Sequence, residues 1–158
     1  MKKLRTHLGG SMKHIISCEQ FDKEYLEKLF HLADDMMEHP KKYVHALEDK
    51  VIATMFFEVS TPTRLSFEAA ILRLGAKNIS TENAKEASSA TKGESLEDTV
   101  RVLSGYVDGI VMRHYDKNAA RIAASVSDVP IFNAGSGSGE HPTQALLDVY
   151  TMHRCHKR

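Results

Sequence analysis

The sequence has no surplus of charge of either sign, almost no cysteine and no apolar run of membrane-spanning length, and each shortage excludes something. Lysine plus arginine and aspartate plus glutamate both number 21, so the formal charge is zero. That argues against a general nucleic-acid surface or a polybasic membrane contact, and an anionic partner has to be held by a local site. The two cysteines, Cys18 and Cys155, stand far apart with no CxxC and no metal-type spacing. They point to reduced thiols in a cytoplasmic protein. Met1-Lys2-Lys3 is followed by no apolar stretch of signal-peptide quality, and nothing approaches a membrane span. The expectation is a soluble chain that is not exported. Its 158 residues suffice for one ordinary domain with a real core and no need of disulfides or metal.

What is present is an alternation of helical and strand patterns. Residues 1–17, with Gly9-Gly10-Ser11, read as a loose lead-in holding a short helical or extended piece around Met12 to Ile16. Phe21, Tyr25, Leu26, Leu29, Phe30, Leu32, Ala33 and Met36 recur at three and four residue spacing and predict an amphipathic helix over 21–38, ended before Pro40. Lys50 to Phe57 is apolar and hardly alternates, as in a strand covered on both faces. Thr63 to Leu74 then predicts a helix stopped by Gly75, followed by a short strand over Asn78 to Thr81 and a long mobile loop over 82–93. A helix over Glu94 to Leu103 leads to a buried strand, Val107 to Met112, which delivers Arg113 and His114 at its carboxyl end. Next come a helix over Lys117 to Val126, a short strand over Val129 to Phe132, and a glycine and serine rich loop over Asn133 to Glu140. His141-Pro142 opens a last helix that runs to about His153. Repeated strand and helix alternation gives an α/β fold, a three-layer sandwich with a parallel sheet. Ligands in such sheets sit at the carboxyl ends of the strands.

Three polar groups lie at those ends. Ser60, Thr61 and Thr63 set hydroxyls and first-turn N–H groups around one point at a helix start, with Pro62 tolerated there because its missing N–H would be unpaired in any case. Phosphate is the natural guest, although a plain N-cap followed by proline explains the same residues and, from this segment alone, slightly better. Arg113 at a strand end suits two-pronged recognition of an oxygen-bearing ligand, or an ordinary surface ion pair. His141 and Gln144 stand one turn apart on one helix face, so an imidazole and a carboxamide can address neighbouring atoms of a small ligand, although such a pair alone is more often a helix-capping and core-edge arrangement. Lys92, in Ser88-Ser89-Ala90-Thr91-Lys92-Gly93-Glu94, is placed to fold over an anion or simply to be solvated. The remaining histidines show no ligand spacing and read as surface residues.

Together, Phe56 to Gly75 (FFEVSTPTRLSFEAAILRLG), Lys92 to Leu103 (KGESLEDTVRVL), Tyr106 to His114 (YVDGIVMRH) and His141 to Tyr150 (HPTQALLDVY) resemble aspartate carbamoyltransferase, in its amino-terminal carbamoyl-phosphate-binding domain. In order and spacing they cover nearly all of residues 20–153. The resemblance implies that the whole of 1–158 is that domain, that carbamoyl phosphate is bound and that no cofactor is used. It implies Ser60, Thr61 and Thr63 at the phosphate, Thr63, Arg113 and His141 at the carbamoyl carbonyl oxygen, and Gln144 at the carbamoyl nitrogen. Ser88 and Lys92 are implied to act in the site of a neighbouring chain of a homotrimer, and Arg64 to be structural. The implied reaction is transfer of the carbamoyl group to L-aspartate, giving N-carbamoyl-aspartate and phosphate for pyrimidine biosynthesis.

Two departures from the family pattern stand out. The family's turn reads Ser-Thr-Arg-Thr-Arg, and here the first arginine is Pro62. Losing that charge beside the leaving phosphate costs about 2–4 kcal/mol of transition-state stabilisation by analogy with an oxyanion donor. The family's chains are also roughly twice as long, and the aspartate-binding domain is expected to be absent here. A non-catalytic structural or regulatory subunit is therefore the alternative function, and a regulatory chain or a separate aspartate-binding domain the further partner.

Overall fold

The computed structural model describes residues 13–82 and 95–156. Among the described residues, α-helices and β-strands follow one another as α1 (Lys23–Glu38), β1 (Val51–Phe56), α2 (Thr61–Arg73), β2 (Lys77–Glu82), α3 (Leu96–Ser104), β3 (Gly109–His114), α4 (Ala119–Val126), β4 (Ile131–Ser136) and α5 (Pro142–His156). The four strands form one parallel sheet in the order β2-β1-β3-β4. The chain steps from β1 out to β2, then crosses back to the far side of β1 to make β3. The carboxyl ends of β1 and β3 therefore flank the point where the winding reverses, the usual ligand crevice of such sheets.

The strands lack polar alternation because both faces are covered. On one face Ala53, Ile110, Met112 and Ile131 pack against Val100 of α3 and Ala119, Ala120 and Ala123 of α4. On the other, Phe56, Val111 and Ala134 meet Ile71 of α2, with Ile52, Phe67 and Phe132 around them. These two half-cores are the sandwich that the sequence implied. Phe56, Ile110 and Ile131 are almost wholly withdrawn from water.

Local signals explain most boundaries. Asp22 caps α1 by accepting from the Tyr25 amide at 2.8 Å, and Ser95 caps α3 through the Asp98 amide at 3.1 Å. Gly75 ends α2 with φ +87, where a Cβ would stand 2.3 Å from the Val44 carbonyl oxygen, so this stop requires glycine. Several expected boundaries shift: α2 begins at Thr61 instead of Thr63, and the strand placed at 107–112 is Gly109–His114. The strand placed at 129–132 is Ile131–Ser136, so Asn133 to Ser136 belong to the sheet and not to the glycine-rich loop. Ahead of α1, Ile15 bridges Phe132, donating to the Ile131 carbonyl at 2.8 Å and accepting from the Asn133 amide at 2.8 Å. The extended option for the lead-in is the one adopted at 14–16. The loop expected over 82–93 falls almost entirely outside the described residues.

Helix α1 docks on α5, where the Phe30 ring lies 5.2 Å from that of Tyr150 and 5.1 Å from that of His153. Tyr150 also donates to Asp34 at 2.5 Å. At the end of α1 the Asp35 carboxylate accepts from Lys42 Nζ at 2.5 Å, from the Tyr43 hydroxyl and from His39 Nδ1 at 3.0 Å. The Lys42 and Tyr43 hydrogen bonds lead in holding its carboxyl down at about 2, from 3.8. A depressed folded pKa stabilises above the unfolded value and stops doing so as pH falls through the folded one. Asp35→Asn is accordingly expected to lose less of its thermal stability than the parent between pH 3.8 and about 2. Parallel acid slopes in thermal melts of the two proteins would reject this.

Candidate active site

The start of α2 is open. Ser60 occupies the N-cap position, but its side chain makes no capping bond to the backbone. Its hydroxyl instead donates to Thr63 Oγ1 at 3.0 Å, while the Thr63 carbonyl accepts from Ser66 at 2.7 Å. The plain N-cap explanation of this turn thus fails on its main requirement. With proline at the second helical position, the first-turn amides not bonded within the helix are those of Thr61 and Thr63. They and three hydroxyls surround the positive end of the helix.

Arg113 comes from the end of β3, in register with Phe56 of β1. Its other neighbour is irregular: Met112 pairs with Asn133 and His114 with Ser136, so Ala134 and Gly135 together oppose Arg113. This bulge lets the strand pass beneath the guanidinium. Gly135 has φ +118, and a Cβ there would fall 2.6 Å from Arg113 Nη1, 3.2 Å from its Cζ and 3.3 Å from His141 Cδ2. The missing side chain is the space in which the arginine and the imidazole come together. Among the described residues Arg113 donates one hydrogen bond, from Nη1 to the Ala134 carbonyl at 3.3 Å. Its Nε is buried without a hydrogen-bond partner, although the Glu58 carboxylate stands 3.4 Å away at ion-pair distance.

His141, half-buried at the mouth of α5, has its pKa pushed down by burial and then by the charge of Arg113. The ring is therefore neutral at pH 7, with Nδ1 3.3 Å from the Thr143 hydroxyl. His141, Thr143 and Gln144 line a cleft of about 540 Å³ together with Pro62, Thr63 and Ser66, and its floor is apolar, with Phe30, Phe67, Leu146 and Tyr150. Gln144 is exposed and its Nε2 donates to Asp148 at 3.0 Å, so the free end it offers is the Oε1 acceptor.

Not every expected residue converges. His114 follows Arg113 by one position, and the two-residue period of a strand sends it to the opposite face. There it is buried against Phe57 and Tyr115, with Nδ1 accepting from the Asp116 amide at 2.9 Å. Arg64 points away from the cleft into carboxylates, 3.3 Å from Glu68 and 2.9 Å from Glu82. Burial opposes charge on Glu68, but hydrogen bonds from Ser80 and Thr54 and the charge of Arg64 outweigh it and hold its carboxyl below the usual range. Ser88 and Lys92 lie outside the described residues. Sequence reasoning missed Glu58, Asn133, Gly135, Glu140 and Thr143, all within segments it had quoted. The Asn-Ala-Gly run on a strand end was the available signal for the bulge.

Fold and site together define the class as an open parallel α/β domain with polar side chains gathered at its strand ends. The family model described as "Aspartate/ornithine carbamoyltransferase, carbamoyl-P binding domain" matches residues 13–154. The chain belongs to that family. It is 52% identical over 143 residues to the chloroplastic aspartate carbamoyltransferase of Arabidopsis thaliana, covering 89% of this chain and 37% of that protein. With the aspartate carbamoyltransferase catalytic subunit of Methanocaldococcus jannaschii it shares 51% over 145 residues, 90% of this chain and 47% of the other. The solved catalytic subunit of M. jannaschii aspartate transcarbamoylase superposes with a TM-score of 0.85 at 50% identity, over 93% of this chain and 48% of that one. Aspartate transcarbamoylase of Trypanosoma cruzi in complex with carbamoyl phosphate and aspartate gives 0.83 at 44% identity, over 90% and 47%. The chain spans less than half the length of the curated relatives it matches.

Proposed function

We propose that this chain binds carbamoyl phosphate and serves the carbamoyl-donor side of aspartate carbamoyltransfer, giving N-carbamoyl-L-aspartate and phosphate. The observation that carries the reading is the meeting of Arg113 and His141 above Gly135, with His141 and Thr63 lining one cleft. Ser60, Thr61 and Thr63 take the phosphate at the start of α2. Arg113, the His141 imidazole and the Thr63 hydroxyl address the carbamoyl carbonyl oxygen. The Thr143 hydroxyl engages Nδ1, so the ring meets the ligand through Nε2. Gln144 turns its Oε1 to the carbamoyl NH2, since its own amide nitrogen is engaged by Asp148.

The amine of aspartate attacks the carbonyl carbon, the new C–N bond forms, negative charge gathers on the carbonyl oxygen, and the C–O bond to phosphate breaks as phosphate leaves with the electron pair and takes up the proton that the amine nitrogen sheds. Rate comes from holding the reactants in line and from donors preset where charge appears. The relatives named as aspartate carbamoyltransferases support this reading over a purely structural subunit. The aspartate-reading side chains belong to a further domain, in the same polypeptide or a separate one. A homotrimer with shared sites, to which Ser88 and Lys92 contribute from a neighbour, fits the apolar side chains that α2 and β2 leave in water, with Leu65 52%, Leu72 63% and Ile79 48% exposed. The cytoplasm is the compartment we assign, and no helix among the described residues is long and apolar enough to cross a membrane.

Isothermal titration tests the reading. Carbamoyl phosphate is expected to bind at or below millimolar concentration, and Arg113→Ala to abolish the signal. Absence of binding by the parent chain at millimolar ligand would reject the function.

A further inference from the structure

We propose that Glu140 is a positioning residue for His141: its carboxylate, clasped by residues 17 and 18, holds the loop so that the imidazole stands against Arg113. The clasp is built from both ends of the chain. Glu140 Oε2 accepts from the Cys18 amide at 2.5 Å, and the two carboxylate oxygens accept from the Ser17 hydroxyl at 3.0 and 3.1 Å. Ser17 is 4% exposed, and it is fixed in turn. Its hydroxyl accepts from the Glu19 amide at 3.3 Å, and its own amide donates to Gln20 Oε1 at 2.9 Å.

The backbone of Glu140 is gripped as firmly as its side chain. Its carbonyl accepts from Ser136 Oγ at 3.2 Å and from Asn133 Nδ2 at 3.4 Å. The same Asn133, 1% exposed, donates to the Ile16 carbonyl at 3.1 Å and accepts from the Gly135 amide at 3.0 Å. One buried polar network therefore joins the extended segment 15–18, the bulge beneath Arg113 and the residue immediately before His141. Loss of one partner from this network leaves largely buried polar groups unpaired. The carboxylate suits the task better than a neutral group: the Cys18 amide hydrogen bond leads in holding its pKa below the usual range, so it is charged at pH 7 and its hydrogen bonds are charge-assisted. Rotation about the 139–141 backbone would carry the ring off Gly135, so the clasp sets the distance between imidazole and guanidinium.

The proposal rests on the reading of His141 as a ligand-facing group, and its test has one arm that needs no ligand. In the ligand-free chain, histidine NMR titration follows the His141 imidazole. In Glu140→Ala the His141 pKa is expected to rise toward the ordinary imidazole value, as the ring gains water and moves from Arg113. Carbamoyl phosphate affinity is expected to weaken about tenfold. Glu140→Gln, which keeps an acceptor for the Cys18 amide, is expected to restore both readouts most of the way. If Glu140→Ala does not fold, Ser17→Ala removes one donor and is expected to move the His141 pKa in the same direction by less. A lowered melting temperature with an unmoved His141 titration makes the clasp merely structural and overturns the proposal. A moved titration in a chain whose parent binds no carbamoyl phosphate leaves the positioning intact and removes the proposed function instead.

Discussion

Replacing Pro62 with arginine is expected to tighten carbamoyl phosphate binding by between tenfold and a hundredfold while costing a little stability. Pro62 is exposed at the second position of α2 and lines the cleft beside Thr63. Arginine there adds a guanidinium where the phosphate sits, and a charge-assisted hydrogen bond contributes about 1.5–3 kcal/mol. It also restores a backbone N–H that proline lacks, giving the helix start a third inward donor. Against this, proline at a compatible position restrains the unfolded chain, and removing it costs about 0.4–1 kcal/mol. Titration calorimetry of Pro62→Arg with carbamoyl phosphate, beside urea unfolding, measures both effects. Pro62→Gln, which restores the N–H without the charge, divides the gain between the two causes. Equal affinity in parent and arginine variant would show that this position does not face the phosphate. If a separately supplied aspartate-binding domain turns the system over, the arginine is expected to raise the rate by more than the affinity, because charge on the phosphate grows as it leaves.

Gly135→Ala is expected to remove ligand binding almost completely while the sheet survives. The added methyl would fall 2.6 Å from Arg113 Nη1 and 3.3 Å from His141 Cδ2, so both side chains must leave their positions. The backbone has φ +118 at this residue, a conformation in which a Cβ is strained by about 1–3 kcal/mol. The strain is local, because Gly135 sits at the end of β4 in a bulge while Ile131 and Ala134 carry the packing. Circular dichroism is expected to keep the parent helix content, urea unfolding to shift by that amount, and calorimetry to show no heat with carbamoyl phosphate. Undiminished binding would mean that the Arg113 and His141 geometry above Gly135 is not the binding geometry.

The two substitutions differ in how they were found. Pro62 stands out through the family resemblance, because the family's Ser-Thr-Arg-Thr-Arg turn carries arginine at that position. Gly135 does not stand out. In the sequence it is one of three glycines in a serine-rich stretch, and the natural reading is a loop. Only the pairing of Met112 with Asn133 and His114 with Ser136 makes it the second residue of a bulge beneath Arg113.

The same division runs through the rest of the chain. Unbroken apolar segments at 51–56 and 109–112 made a doubly covered parallel sheet legible, because burial on both faces leaves its mark on every residue of a strand. Helices α1, α3 and α4 were legible from spacing, and the ligand crevice from strand and helix alternation alone. Arg113 and His114 looked like a pair; the pleat assigned one to the cleft and the other to the core, and nothing in two adjacent polar residues says which register the strand takes. Glu140 was invisible as a partner of Ser17 and Cys18, since 122 residues separate it from the cysteine amide. Sequence by itself determined what local preference and periodicity control: the elements, their order and the fold class. The tertiary structure decided which side chains share one space, because that depends on strand register, a bulge and hydrogen bonds between residues far apart along the chain, none of which leaves a periodic trace.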